Sequence, residues 1–197
     1  MTAPRDDASA RAVLEAIRSR RSVGRVRPDP LERELVEELL GAAICAPNHH
    51  LTGPWRFVVL TGPARREVGE AHVRAVLRQR PDLAPQGVEK EASRLERAPV
   101  VVACCVAGAE DPVQAREDRD AVAAAVQNLL LAAHARGLAG MWRTGTMADE
   151  PEVREALGLG PGDAVVAFVY LGLPVEPAPE RPGGRGDIEA VSVWRGW

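Results

Sequence analysis

Apolar positions along this 197-residue chain alternate between helical and strand-like spacing. Val13, Leu14 and Ile17 fall on one helical face and predict a first helix over about Ala8 to Arg20. Asp29-Pro30 then reads as N-cap and first residue of a second helix. Its buried face is Leu35, Val36, Leu39, Leu40, Ala43 and Ile44, and Ala46-Pro47 stops it, because a residue before proline disfavours the helical region. An irregular loop from Asn48 to Pro54 leads into a strand, Trp55 to Leu60. Gly62-Pro63 opens a helix reaching about Arg80, and prolines 81 and 85 separate it from a charged helix near Val88 to Arg97. Val100 to Ala107 (VVVACCVA) is apolar without alternation, the pattern of a strand covered on both faces.

A long helix follows from about Pro112 to Arg136, with Val122, Val126, Leu129, Leu130 and Ala133 as its stripe and Gly137 and Gly140 at its end. Met141 to Thr146 reads as a short strand or extended loop, and Glu150 to Leu159 as a helix closed by the turn Gly160 to Asp163. Ala164 to Leu173 is the last strand. The tail, 174–197, is rich in proline, glycine and arginine but ends in apolar Val191, Val193, Trp194 and Trp197. Mixed helices and strands, with no repeat and no linker, predict one domain over 1–197 of class α+β or α/β, built on a central sheet.

Composition narrows the class. At 46% hydrophobic the chain can bury a core, yet it contains no apolar run of the ~18 residues a membrane span needs. The Arg20-Arg21 pair lacks the apolar stretch of an export signal, so the expected compartment is the cytoplasm. Three cysteines fit a reducing environment, and Cys104-Cys105 read as packing residues. Of 25 basic residues only Lys90 is lysine, and no glycine loop precedes it, which excludes a P-loop. With net charge -3 and acids spread along the chain, no nucleic-acid footprint is expected.

Three segments carry candidate chemistry. Arg18 to Arg27 (RSRRSVGRVR) holds five arginines and two serines in ten residues. It reads equally as a solvated helix end, where cations are favourable, or as a phosphate site, where the guanidinium fork matches phosphate oxygens and a serine hydroxyl adds a bond. The loop Ala46 to Trp55 carries adjacent His49 and His50. No further ligand stands at zinc-site spacing, so no metal is expected there, and an ordinary helix-to-strand loop is the plainer reading. Gly140 to Gly145 (GMWRTG) brackets Trp142, Arg143 and Thr144 with glycines, a loop whose N–H groups can face a ligand. Gly158, Gly160 and Gly162 lie between a helix and a strand, the reverse of a dinucleotide fingerprint, and His134 reads as a partly buried helix residue.

Together these segments resemble the nitroreductase family of flavin enzymes, in its compact NAD(P)H nitroreductase subgroup. The matching residues are Arg20-Arg21-Ser22 with Arg25, Ala46-Pro47-Asn48, Gly53-Pro54-Trp55 with Phe57, Gly140 to Gly145, and Tyr170-Leu171-Gly172. The resemblance spans about Val13 to Pro174. It implies a three-layer α+β fold: a mixed, mainly antiparallel central sheet flanked by helices, with the long helix at a dimer interface. It implies FMN as cofactor, NADH or NADPH as hydride donor, and a homodimer with FMN at the subunit interface. Arg20, Arg21 and Ser22 would hold the phosphate side of the flavin, and Arg25 would bring positive charge to its ring. Cys45 and His49 would reach in from the partner, and Trp142, Arg143 and Thr144 would lie along the ring.

The flavin would carry hydride by ping-pong logic to nitro compounds, quinones or related acceptors, with no catalytic side chain required. A flavin-modifying or dehalogenase-like relative and a non-enzymatic flavin carrier are the alternatives. The chain departs from the family pattern at Leu51 and Gly53, positions that bear on substrate choice.

Overall fold

The computed structural model describes residues 7–177 and 186–196. In order come α1 (Ala8–Ser19), α2 (Arg33–Ala43), β1 (Trp55–Leu60), α3 (Pro63–Gln79), α4 (Pro85–Ala92), β2 (Val100–Val106), α5 (Pro112–Ala135), β3 (Ala139–Arg143), α6 (Pro151–Ala156), β4 (Ala164–Gly172) and α7 (Ile188–Val191). Short 3₁₀ turns occupy His49–Leu51, Arg94–Arg97 and Thr146–Ala148. The strands form one sheet in the order β1-β2-β4-β3, every neighbouring pair antiparallel. Among the described residues the parallel component of the expected mixed sheet is a single bridge, Ser22 to Gly140, on the outer edge of β3.

Alternation along the strands sorts side chains into two cores. Val100, Val102, Cys104 and Val106 of β2 face Val122, Val126, Leu129 and Leu130 of α5 and Leu39 of α2. Val101, Ala103 and Cys105 face the opposite way, toward Val68 and Ala71 of α3 and Val153 of α6. The sheet is thus the middle of three layers, which explains why β2 shows no polar alternation. A register shift opposite Cys104 and Cys105 leaves Val166 unpaired in β4 and puts Val166 and Ala167 in the same core. Burial pushes the Cys105 thiol up to about 12 and raises Cys104 further, so both remain unreactive thiols. On the α3 side, buried His72 presents one ring nitrogen to Glu150 at 2.6 Å and the other to Glu91 at 3.3 Å, tying α3, α4 and α6 together.

Two expectations change. Asp29-Pro30 does not start α2, which begins at Arg33 behind Glu32. The Asp29 carboxylate instead accepts a fork of bonds from Arg27, Nε at 2.8 Å and Nη2 at 3.0 Å, a local ion pair that competes with capping. The charged helix near Val88 to Arg97 is shorter and earlier, Pro85–Ala92, with a separate 3₁₀ turn after it. Val13, Leu14 and Ile17 do share one face of α1, but that face is exposed, as are Ile44, Val191, Val193 and Trp194. Trp197 lies outside the described residues.

Candidate functional site

The chain between α1 and α2 runs against the open edge of β3 and the end of β4. Ser22 bridges Gly140, Val23 N–H donates to the Gly140 carbonyl at 3.4 Å, and Arg27 N–H donates to Leu173 O at 2.8 Å. A Cβ on Gly24 would stand 2.9 Å from Met141 Cε and 4.0 Å from Arg143 Nη2, so a glycine here lets the arginine segment lie close on β3. Folding therefore joins two of the three sequence candidates, Arg20-Arg21-Ser22 and Gly140 to Gly145.

Within this group the side chains differ in role. Arg20, at the C-terminal end of α1, is 7% exposed. Arg21 Nη1 turns back to donate to the carbonyls of Arg18 and Arg20, so it also caps the helix. Arg25 is exposed and stands 4.0 Å from Glu176, a pair too solvated to hold it firmly. Strand alternation sends Trp142 to the α5 core and Arg143 to the other face, where its guanidinium lies 5.6 Å from the centre of the Tyr170 ring. Thr144 is exposed beyond the end of β3.

His134 reports the charge of this cluster. The Ser19 hydroxyl donates to Glu15 O at 2.7 Å, so its oxygen accepts from His134 Nε2 at 2.8 Å. Burial, then the charges of Arg20 and Arg21, hold the His134 imidazolium below the ordinary histidine value. The folded chain thus resists a proton that the unfolded chain accepts near pH 6.5. Its contribution to stability is complete above about pH 6.5 and is lost as pH falls toward the depressed folded value. We expect the melting temperature to drop between pH 7.5 and 5.5, and His134→Gln to remove part of that drop. Parallel curves for parent and variant would contradict this assignment.

Cys45 and His49 lie elsewhere. Cys45 is exposed just after α2, with Sγ directed at Gly41 O. His49 Nδ1 lies 3.1 Å from Glu117 near the start of α5, whereas Ser19 meets His134 near its end. At 1.5 Å per residue these two places on α5 are about 25 Å apart. An open, mostly apolar groove of about 650 Å³ between Leu31, Val36, Leu40, Val59 and Pro99 touches none of the nine expected site residues. Sequence reasoning missed Glu117 and buried Asp118, which organise the histidine loop; nothing local marks either residue for that role, because their partners in the loop are 66 or more positions away.

The fold is a three-layer α+β scaffold with an arginine-lined sheet edge. Residues 17–173 match the nitroreductase family. The chain belongs to that family, whose members are flavin-dependent oxidoreductases using NAD(P)H. YdjA of Escherichia coli K12, provisionally named an NAD(P)H nitroreductase, is 30% identical over 162 residues, covering 82% of this chain and 87% of its own. The 5,6-dimethylbenzimidazole synthase of Rhodospirillum rubrum is 33% identical over 194 residues, 91% of each chain. A nitroreductase-like protein of Bacillus cereus superposes over 100% of both chains with TM-score 0.79 and 26% identity. A provisionally named nitroreductase of Desulfovibrio desulfuricans, crystallised with FMN, gives TM-score 0.70 and 27% identity, covering 94% of this chain and 97% of that one.

Proposed function

We propose that this chain is a cytoplasmic, homodimeric, FMN-dependent oxidoreductase that passes hydride from NADH or NADPH to nitro compounds, quinones or a related electron-poor acceptor in ping-pong order. The observation that carries the reading is the seating of Arg20-Arg21-Ser22 on the β3 edge beside Arg143. The donor set suits FMN: planar guanidinium forks and a serine hydroxyl match a phosphate. Arg20, Arg21 and Ser22 would hold the phosphate side. Arg143 would add positive charge near the ring, and Trp142 would support β3 from the core side. Arg25, lying exposed beside Glu176, would reach the flavin only by leaving that pair. Bound FMN supplies a two-electron carrier; the protein orients it, places positive charge beside it and excludes water.

The dimer is supported by the separation along α5. His49 is displaced from the arginine cluster toward the other end of that helix, so a flavin reached by both draws on two copies. The exposed apolar face of α1, with Ile44 and the apolar end of the tail, is surface that a second copy would cover. No helix among the described residues is long and apolar enough to cross a membrane.

The deciding experiment is the absorption spectrum of the purified protein, with chromatography of what heat releases. Flavin bands with FMN in the supernatant, bleached anaerobically by NADH or NADPH, are expected. A protein that stays colourless after FMN is added and dialysed away contradicts the reading. The likeness to the R. rubrum synthase favours one alternative, an enzyme that alters the flavin itself. Mass spectrometry after turnover separates them: intact flavin with a consumed acceptor supports the oxidoreductase, and consumed flavin supports the alternative.

A further inference from the structure

We propose that His49, His50 and Glu117 form a binding site for a divalent cation of the zinc type. The sequence shows the two histidines but no third ligand at metal-site spacing. Folding supplies it from α5. Glu117 Oε2 lies 3.1 Å from His49 Nδ1 and 3.7 Å from His50 Nε2, and one ligand atom from each residue falls within 4.8 Å of the other two. Around a tetrahedral zinc with bonds of roughly 2.0–2.1 Å, neighbouring ligand atoms stand about 3.3 Å apart, so small side-chain movements would close the set.

The loop that carries the histidines is held from beneath. Asp118, 3% exposed, accepts from Thr52 Oγ1, from Asn48 Nδ2 at 3.4 Å and from Gln114 Nε2 at 3.3 Å. Asn48 Oδ1 in turn accepts from Gly53 N–H at 2.8 Å. Within this frame His50 (φ 61°) and Leu51 (φ 55°) occupy the left-handed region, which non-glycine residues rarely adopt. The turn brings the two imidazoles into a stack, centroids 3.9 Å apart and planes 15° from parallel.

Two imidazole nitrogens and one carboxylate favour zinc, cobalt, nickel or copper over magnesium and calcium, which select all-oxygen sites. His49 and His50 are exposed, so the remaining coordination positions are open to water or to a donor from another molecule. His49 is shared with the proposed flavin site of a second copy, but the ligands, distances and supporting bonds of the cation site belong to the loop and α5 of one chain, so Co²⁺ binding is read on flavin-free protein.

The test is titration of tag-free protein with Co²⁺, followed by visible absorption, and displacement by Zn²⁺ against a chromophoric chelator. One cation per chain is expected. His50→Asn, which keeps a side chain tolerant of the left-handed backbone, and Glu117→Gln should each weaken Zn²⁺ binding about tenfold or more. Cys45→Ser should leave Zn²⁺ affinity unchanged. Melting curves of the variants confirm that they are folded. A parent protein without saturable Co²⁺ absorption, either ligand variant binding as tightly as the parent, or a Cys45→Ser variant that loses the site overturns the proposal.

Discussion

Replacing Arg20 with alanine is expected to weaken FMN binding by about 1.5–3 kcal/mol, roughly 10- to 160-fold in Kd, the scale of a charge-assisted hydrogen bond. The argument is positional. Arg20 is buried where α1 ends, two residues before the Ser22 bridge to β3. Its neighbour Ser19 meets His134, so Arg20 stands where α1 approaches the end of α5. Arg21→Ala should fall in the same range, with an added stability loss, because Arg21 also caps α1 through the Arg18 and Arg20 carbonyls. Equilibrium dialysis or flavin fluorescence quenching measures the affinities, and a melting curve separates the capping effect. If both single variants match the parent's flavin occupancy at FMN concentrations near the parent Kd, the phosphate assignment is wrong and the cluster is a solvated helix end.

Gly69→Ala should be the most damaging small substitution in the fold. Gly69 lies inside α3 where α4 ends against it, and a Cβ there would stand 1.9 Å from the Ala92 carbonyl oxygen. A backbone atom cannot rotate aside as a side chain can, so the two helices must separate. Overpacking of this kind costs about 3 kcal/mol. For a chain of this length that lowers the melting temperature by roughly 6–12 °C. The displacement would also strain the His72 contacts with Glu91 and Glu150 that join the same helices. Gly41→Ala in α2 is the matched control: nothing lies within 4 Å of its added Cβ, and helix propensity predicts a gain of up to about 1 kcal/mol. A Gly69→Ala melting temperature within a degree or two of the parent would show that the α3–α4 contact yields easily.

The strands and the long helix were legible because their signals are local. Trp55–Leu60 is bounded by Pro54 and Gly62, and it folds within the expected limits. Val100–Val106 is apolar at every position because α2 and α5 cover one face of β2 and α3 and α6 the other. The arginine segment and Gly140 to Gly145 were also visible as separate motifs. Their contact was not, since Ser22 and Gly140 meet only when β3 takes the edge of the sheet.

What the sequence by itself determined, then, is the order and type of the elements and the family motifs. Periodicity, turn residues and motif spacing are properties of neighbouring positions, and they survive without tertiary context. Tertiary structure decided the rest. It gave Asp29 to Arg27 instead of to a helix N-terminus, and it turned Trp142 and Arg143 to opposite faces of β3. It set His49 and Arg20 toward opposite ends of α5, and it brought Glu117 to the paired histidines. Each of these depends on which surfaces pack together or which of several local partners wins. That competition is settled by the burial and hydrogen bonding of the whole chain.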